Sequence, residues 1–229
     1  MKISEDTPVG DIVAEDIRTA GLFTKVGIDF CCGGKKSLAE SCKEAGTDLR
    51  NLVGELTSVM ETPVGYNQNF KEWNPGFLAD YIVQTHHRFV KQNLPELQFY
   101  TQKIADVHGE NHPELVDVVR MFGEVAAELT QHLAKEEEVL FPAAKRLLSD
   151  GSPEDREIVQ SEIRRMLGEH DFAGGTMDAI HRITGGYRVP ADGCNTYRVA
   201  FERLRAFEDD LHLHVHLENN ILFPALLKA

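Results

Sequence analysis

One motif occurs twice in this chain. His132 to Ala143 and His214 to Ala225 both read H-x-x-x-E-x-x-[VI]-L-F-P-A. Each copy is preceded by a further histidine on a helix-like stretch: His86 lies 46 residues before His132, and His170 lies 44 before His214. A pair of helices supplying one histidine and one His-x-x-x-Glu has therefore been used twice. Four long amphipathic helices with short connections satisfy that arrangement as an up-down four-helix bundle.

The rest of the pattern agrees with an all-α chain. No sustained alternating apolar run marks a strand, whereas helical periodicity recurs. Residues 1–60 read as a small helical domain. Thr7-Pro8 opens one helix, Ser37 and Glu40 form a capping box, and Asp48 caps the next. The glycines around Cys31-Cys32-Gly33-Gly34 make that stretch a loop. Residues 61–74, rich in Pro, Gly, Asn and Gln, read as a linker. Residues 75–229 carry the bundle, with stripes such as Leu115, Val118, Phe122, Val125 and Leu129.

Composition excludes several classes. A formal charge of −13 over 229 residues repels phosphates, so neither nucleic acid nor an anionic membrane surface is expected as a partner. No apolar run approaches the ~18 residues of a membrane span. The first residues lack the basic-then-apolar order of a signal peptide. Four cysteines, two of them adjacent, are no secreted disulfide framework. The expected location is the cytoplasm.

The polar residues on the core stripes carry the chemistry. Residues at i and i+4 share a helix face, so His132 with Glu136, and His214 with Glu218, continue the apolar stripes inward. His86 extends the 78, 82, 89 phase, and His170 extends 159, 163, 166. Burying four imidazoles and two carboxylates without partners costs several kcal/mol. A metal centre removes that cost. Six protein ligands, two of them carboxylates placed to bridge, suit two metal ions with an oxo or hydroxo bridge. Iron fits a pair inside a helix bundle.

At these residues the sequence resembles a known family. The bundle is similar to hemerythrin-like di-iron domains. Together with Asp29-Phe30-Cys31-Cys32-Gly33-Gly34-Lys35, it resembles the repair of iron centres family of iron–sulfur cluster repair proteins. The resemblance implies His86, His132, Glu136, His170, His214 and Glu218 as ligands of two iron ions, with Glu136 and Glu218 bridging. It implies damaged iron–sulfur proteins as clients, nitric oxide or oxygen as small ligands, and iron donation under nitrosative or oxidative stress. Oxygen-carrying hemerythrin supplies a second histidine four residues on from the one matched by His170. Here that position is Gly174, which implies more open coordination and looser iron. Rival readings are a di-iron nitric oxide reductase and a sensor or carrier of nitric oxide or oxygen. A homodimer is compatible with the sequence.

Beyond the ligands, Cys31 and Cys32 are candidates to pass iron, sulfide or nitrosyl, since a glycine-rich loop leaves thiols accessible. Glu128, one turn before His132, and Glu169, directly before His170, are candidates to orient a ligand or place a further carboxylate. His87 lies about 100° round the helix from His86 and reads as solvent-facing or supporting. Glu137 reads as outer-face charge. His108 and His112 read as surface residues, and Cys42 and Cys194 as inert thiols.

Overall fold

The structure is a computed structural model that describes residues 2–62 and 69–229. Among them every regular element is helical, and the one β-type pairing is an isolated bridge between Pro8 and Ser37. The middle of the expected linker, 63–68, lies outside the described residues. By packing, the chain groups into two compact units, Met1–Ala79 with His212–Ala229, and Asp80–Leu211.

The first unit holds α1 (Val9–Glu15), α2 (Ala20–Val26), α3 (Leu38–Ala45) and α4 (Leu49–Glu61). The starts of α3 and α4 follow the caps written in the sequence. Ser37 Oγ accepts the Glu40 amide at 3.2 Å, and Asp48 Oδ1 accepts that of Asn51 at 2.8 Å. Gly27, at φ 72°, closes α2 in the left-handed region open to glycine. Val9, Ile12, Val13, Phe23, Leu38 and Leu56 are fully buried and form this unit's core. Residues 212–229 belong to the same unit, and α1 packs on the turn Glu218–Leu222. Phe70, Trp73 and Phe77 pack in series with tilted rings, their centroids 4.7 and 5.0 Å apart.

The second unit is built from α6 (Arg88–His108), α7 (Glu114–Lys135), α8 (Phe141–Asp150), α9 (Pro153–Ile183) and the larger part of α10 (Asn195–Leu217). α7 packs against both α6 and α9. Leu115, Val118, Phe122 and Val125 are fully buried, as three- and four-residue spacing along α7 requires. Phe207 of α10 meets Phe122 edge-on at 5.4 Å, joining α10 to that core. Pro95 sits inside α6, which continues through it.

Three π-helical turns interrupt these helices. Val83–His87 joins α5 (Pro75–Ile82) to α6, Glu136–Leu140 joins α7 to α8, and Glu218–Leu222 joins α10 to α11 (Phe223–Leu226). In the last two, the amide of Phe141 donates to the carbonyl of Glu136, and that of Phe223 to Glu218. The repeated Leu-Phe-Pro accounts for them. Pro142 and Pro224 have no N–H for the carbonyls four residues back, and their rings crowd those carbonyls. The turn before each proline widens, and it begins at the motif glutamate. No proline stands at the matching place after Val83–His87; the next, Pro95, lies eight residues beyond His87.

Candidate metal centre

The wide turn at Val83–His87 changes which histidine faces inward. Spacing of 3.6 carries the stripe Leu78, Ile82 on to position 86. The π turn adds one residue, and the buried stripe instead runs Leu78, Ile82, His87, Val90, Leu94, Leu97. His87 is fully buried, with Nε2 3.3 Å from Glu136 Oε2. Its expected solvent-facing position is thereby corrected. His86 is also buried, but its Nδ1 is hydrogen-bonded to Asp210 Oδ1 at 2.9 Å and its ring meets Tyr81 edge-on.

Around Glu136 the second unit gathers further imidazoles. His132 Nε2 lies 3.3 Å from Glu136 Oε2, and His170 Nε2 lies 3.2 Å from His132 Nε2. His132, Glu136 and His170 each offer a ligand atom within 4.8 Å of the others. All of them are at most 2% exposed. The other ring nitrogens are anchored. His87 Nδ1 bonds Glu137 Oε1 at 2.8 Å, and His132 Nδ1 bonds Glu169 Oε2 at 2.8 Å. A carboxylate at Nδ1 fixes the tautomer that turns Nε2 toward a metal and raises its basicity. Glu137 is therefore not simply outer-face charge. It is a supporting residue that sequence reasoning passed over, although it directly follows the motif glutamate Glu136.

Lysines complete these supports. Lys91 Nζ bonds Glu137, and Lys135 Nζ bonds Glu169. Burial pushes both carboxyls up, but hydrogen bonds from Lys91 and His87, and from Lys135 and His132, outweigh it and hold them below the ordinary range. Glu128, half-buried, lies 4.0 Å from Lys135.

In the first unit, His214 Nε2 lies 3.3 Å from Glu218 Oε1, both buried. On the same helix Asn220 Nδ2 donates to the carbonyls of Phe30 and Cys31, at 3.2 and 3.0 Å. His216 packs its ring against Phe30 at 5.7 Å, and burial pushes it down to about 4, so it is neutral at pH 7. The cysteine loop is thus seated on the helix that carries the second motif.

The loop is tighter than its glycines suggest. Asp29 Oδ1 accepts the amides of Cys31 and Cys32, and Oδ2 accepts that of Gly33. Cys31 is buried, which corrects the expectation of an accessible thiol; Cys32 is half-buried. The neighbouring Cys32 thiol, burial and the Asp29 charge push the Cys31 thiol well above its ordinary value.

The donors fit a first-row transition metal: imidazole Nε2 atoms directed at a buried carboxylate, with Nδ1 atoms held by acids. Residues 78–226 match the hemerythrin HHE cation-binding domain, and residues 5–60 match ScdA_N, a domain of unknown function. The iron-sulfur cluster repair protein ScdA of Staphylococcus haemolyticus is 33% identical over 223 residues, covering 96% of this chain and 98% of that one. This chain belongs to the hemerythrin-domain family of iron–sulfur cluster repair proteins. A second member, the iron-sulfur cluster repair protein YtfE of an Enterobacter strain, is 31% identical over 97% of each chain. A probable iron-sulfur cluster repair protein of Haemophilus influenzae is 33% identical over 90% of each. The family's cation-binding domain takes in both His-x-x-x-Glu motifs and all the anchoring acids named above.

Proposed function

We propose that this chain restores damaged iron–sulfur clusters in client proteins of the cytoplasm, under nitrosative or oxidative stress, by donating iron. Two iron ions are the cargo, held by His132, Glu136, His170, His214 and Glu218 with His87, in preference to His86, as the sixth ligand. Glu136 and Glu218 bridge the ions. In this reading residues 1–60 are the domain that presents the cysteine loop, 61–74 the linker and 75–229 the iron-holding bundle. The observation that carries the reading is the set of imidazole Nε2 atoms around Glu136, each of two rings anchored by a carboxylate, in a chain whose relatives bear repair names.

The chain's own residues have distinct tasks. Glu137 and Glu169 hold His87 and His132 in the ligating tautomer. Lys91 and Lys135 keep those acids ionised. Gly174 leaves the position one turn beyond His170 without a donor, so bound iron is open to capture by a client.

The test is reactivation of a nitric-oxide-damaged iron–sulfur dehydratase by iron-loaded protein. Wild type is expected to restore activity, and Glu136→Leu and Glu218→Leu are expected to lose the effect. Restoration no better than that from equal free ferrous iron overturns the reading.

A further inference from the structure

Away from the bundle centre, the second unit carries a thiol–imidazole pair. Cys194 is exposed, and its Sγ lies 3.2 Å from Nε2 of His108, the last residue of α6. Cys194 directly precedes α10, so its sulfur meets the amides of Thr196 and Tyr197 at the start of a helix of 23 residues. The imidazole is held in place, because Tyr197, itself buried, meets the His108 ring edge-on at 5.3 Å. The acid two residues before Cys194 is occupied elsewhere. Asp192 is bonded to His112 Nε2 at 3.0 Å, and His112 Nδ1 lies 3.4 Å from Glu114. The ionisable groups around this pair are thus His112 and Glu114 at the start of α7, Asp192 on the approach to α10 and Tyr197 within α10.

We propose that Cys194 and His108 form a thiol–disulfide exchange site that takes a low-molecular-weight disulfide. The thiolate Sγ attacks one sulfur of the reagent. A new Sγ–S bond forms as the reagent's S–S bond breaks, and the departing thiolate leaves with that electron pair and takes a proton from solvent. No oxidant beyond the disulfide is needed. The product is a mixed disulfide on Cys194, which a second small thiol reverses.

The remaining cysteines do not share this environment. Cys31 and Cys42 are buried with thiols pushed up, Cys31 chiefly by Cys32 and Cys42 by burial. Cys194 is drawn the other way. The His108 hydrogen bond, followed by the Tyr197 and Thr196 amides, brings its thiol down to about 7. Near neutrality about half is thiolate. A lower thiol pKa also weakens the nucleophile, so the net advantage over an ordinary thiol is about threefold at pH 7 and about sixfold at pH 6.

The experiment treats the full chain with oxidised glutathione across pH 5.5 to 9 and locates adducts by peptide mass. The first adduct is expected on Cys194, removed by dithiothreitol, with half-maximal rate near pH 7. His108→Ala should slow it by up to about threefold at pH 7 and about sixfold at pH 6, moving the midpoint part of the way toward about 8.5, because the Tyr197 and Thr196 amides remain. A merely structural His108 leaves that midpoint unmoved. Cys194→Ser should remove the adduct without changing helix content. A first adduct on Cys32, an adduct surviving in Cys194→Ser, or identical pH profiles for wild type and His108→Ala overturns the proposal.

Discussion

The imidazole of His87 is constrained at both nitrogens, with Glu137 at Nδ1 and Glu136 facing Nε2. Iron per chain should therefore drop in His87→Ala and be largely kept in His86→Ala, as measured by elemental analysis after desalting. Equal losses in the two variants count against His87 as the ligand. Glu137→Gln keeps the shape but weakens the anchor, and iron affinity in a chelator competition should fall about 10- to 100-fold. His132, Glu136, His170, His214 and Glu218 were legible as inward-facing because no break in helical phase precedes them on their own helices. His87 was not, since one extra residue in the turn before it shifts the face by about 100°. The repeat held a hint: 45 residues separate His87 from His132, closer than His86 comes to the 44 between His170 and His214. The Cys194 environment was beyond local pattern, because His108 lies 86 residues away.

At the scale of elements, the cysteine loop and the second motif helix approach each other closely. A Cβ on Gly34 would lie 2.6 Å from Asn220 Oδ1 and 2.7 Å from the Phe30 carbonyl. Gly34→Ala should cost about 1–3 kcal/mol in a urea titration, as the loop is pushed off its seat. Gly21, inside α2, meets nothing within 4 Å, and Gly21→Ala should be stabilising by about 0.5–1 kcal/mol. Similar costs for both would show that Gly34 is not sterically constrained. The junction of α1 and α2 adds a pH dependence. Burial pushes the Asp16 carboxyl up, but bonds from the Arg18 side chain and amide outweigh this and hold it below the ordinary value. A carboxyl lowered on folding stabilises fully above its unfolded value of about 3.9, and that contribution is lost as pH falls through the lower folded value. Asp16→Asn should flatten this part of the acid limb of thermal melts; an unchanged limb refutes the assignment. The caps at Ser37 and Asp48 were readable because they rest on local hydrogen bonds. The tight Asp29 turn was not, because the glycines that mark a loop do not say whether a side chain closes it.

For the molecule as a whole, the proposed iron is a ligand of the folded state alone. Free iron at 100 times its dissociation constant should add about 2.7 kcal/mol to stability. Loaded protein is expected to melt higher than chelator-treated protein, and the Glu136→Leu, Glu218→Leu double variant should show no such difference. A shift that persists in the double variant places the metal elsewhere. The all-helical class and the doubled motif were legible because helical periodicity and repetition are properties of the chain itself. The grouping of residues 212–229 with the first 79 was not, since it depends on packing between segments far apart in sequence.

That grouping has a consequence for biosynthesis. A nascent chain halted before residue 212 carries its cysteine loop without the Asn220 seat, and lacks both His214 and Glu218. The amino-terminal unit cannot finish folding as it leaves the ribosome. It waits for residues 212–229, so a chain cut short of them leaves that core incomplete and open to proteases.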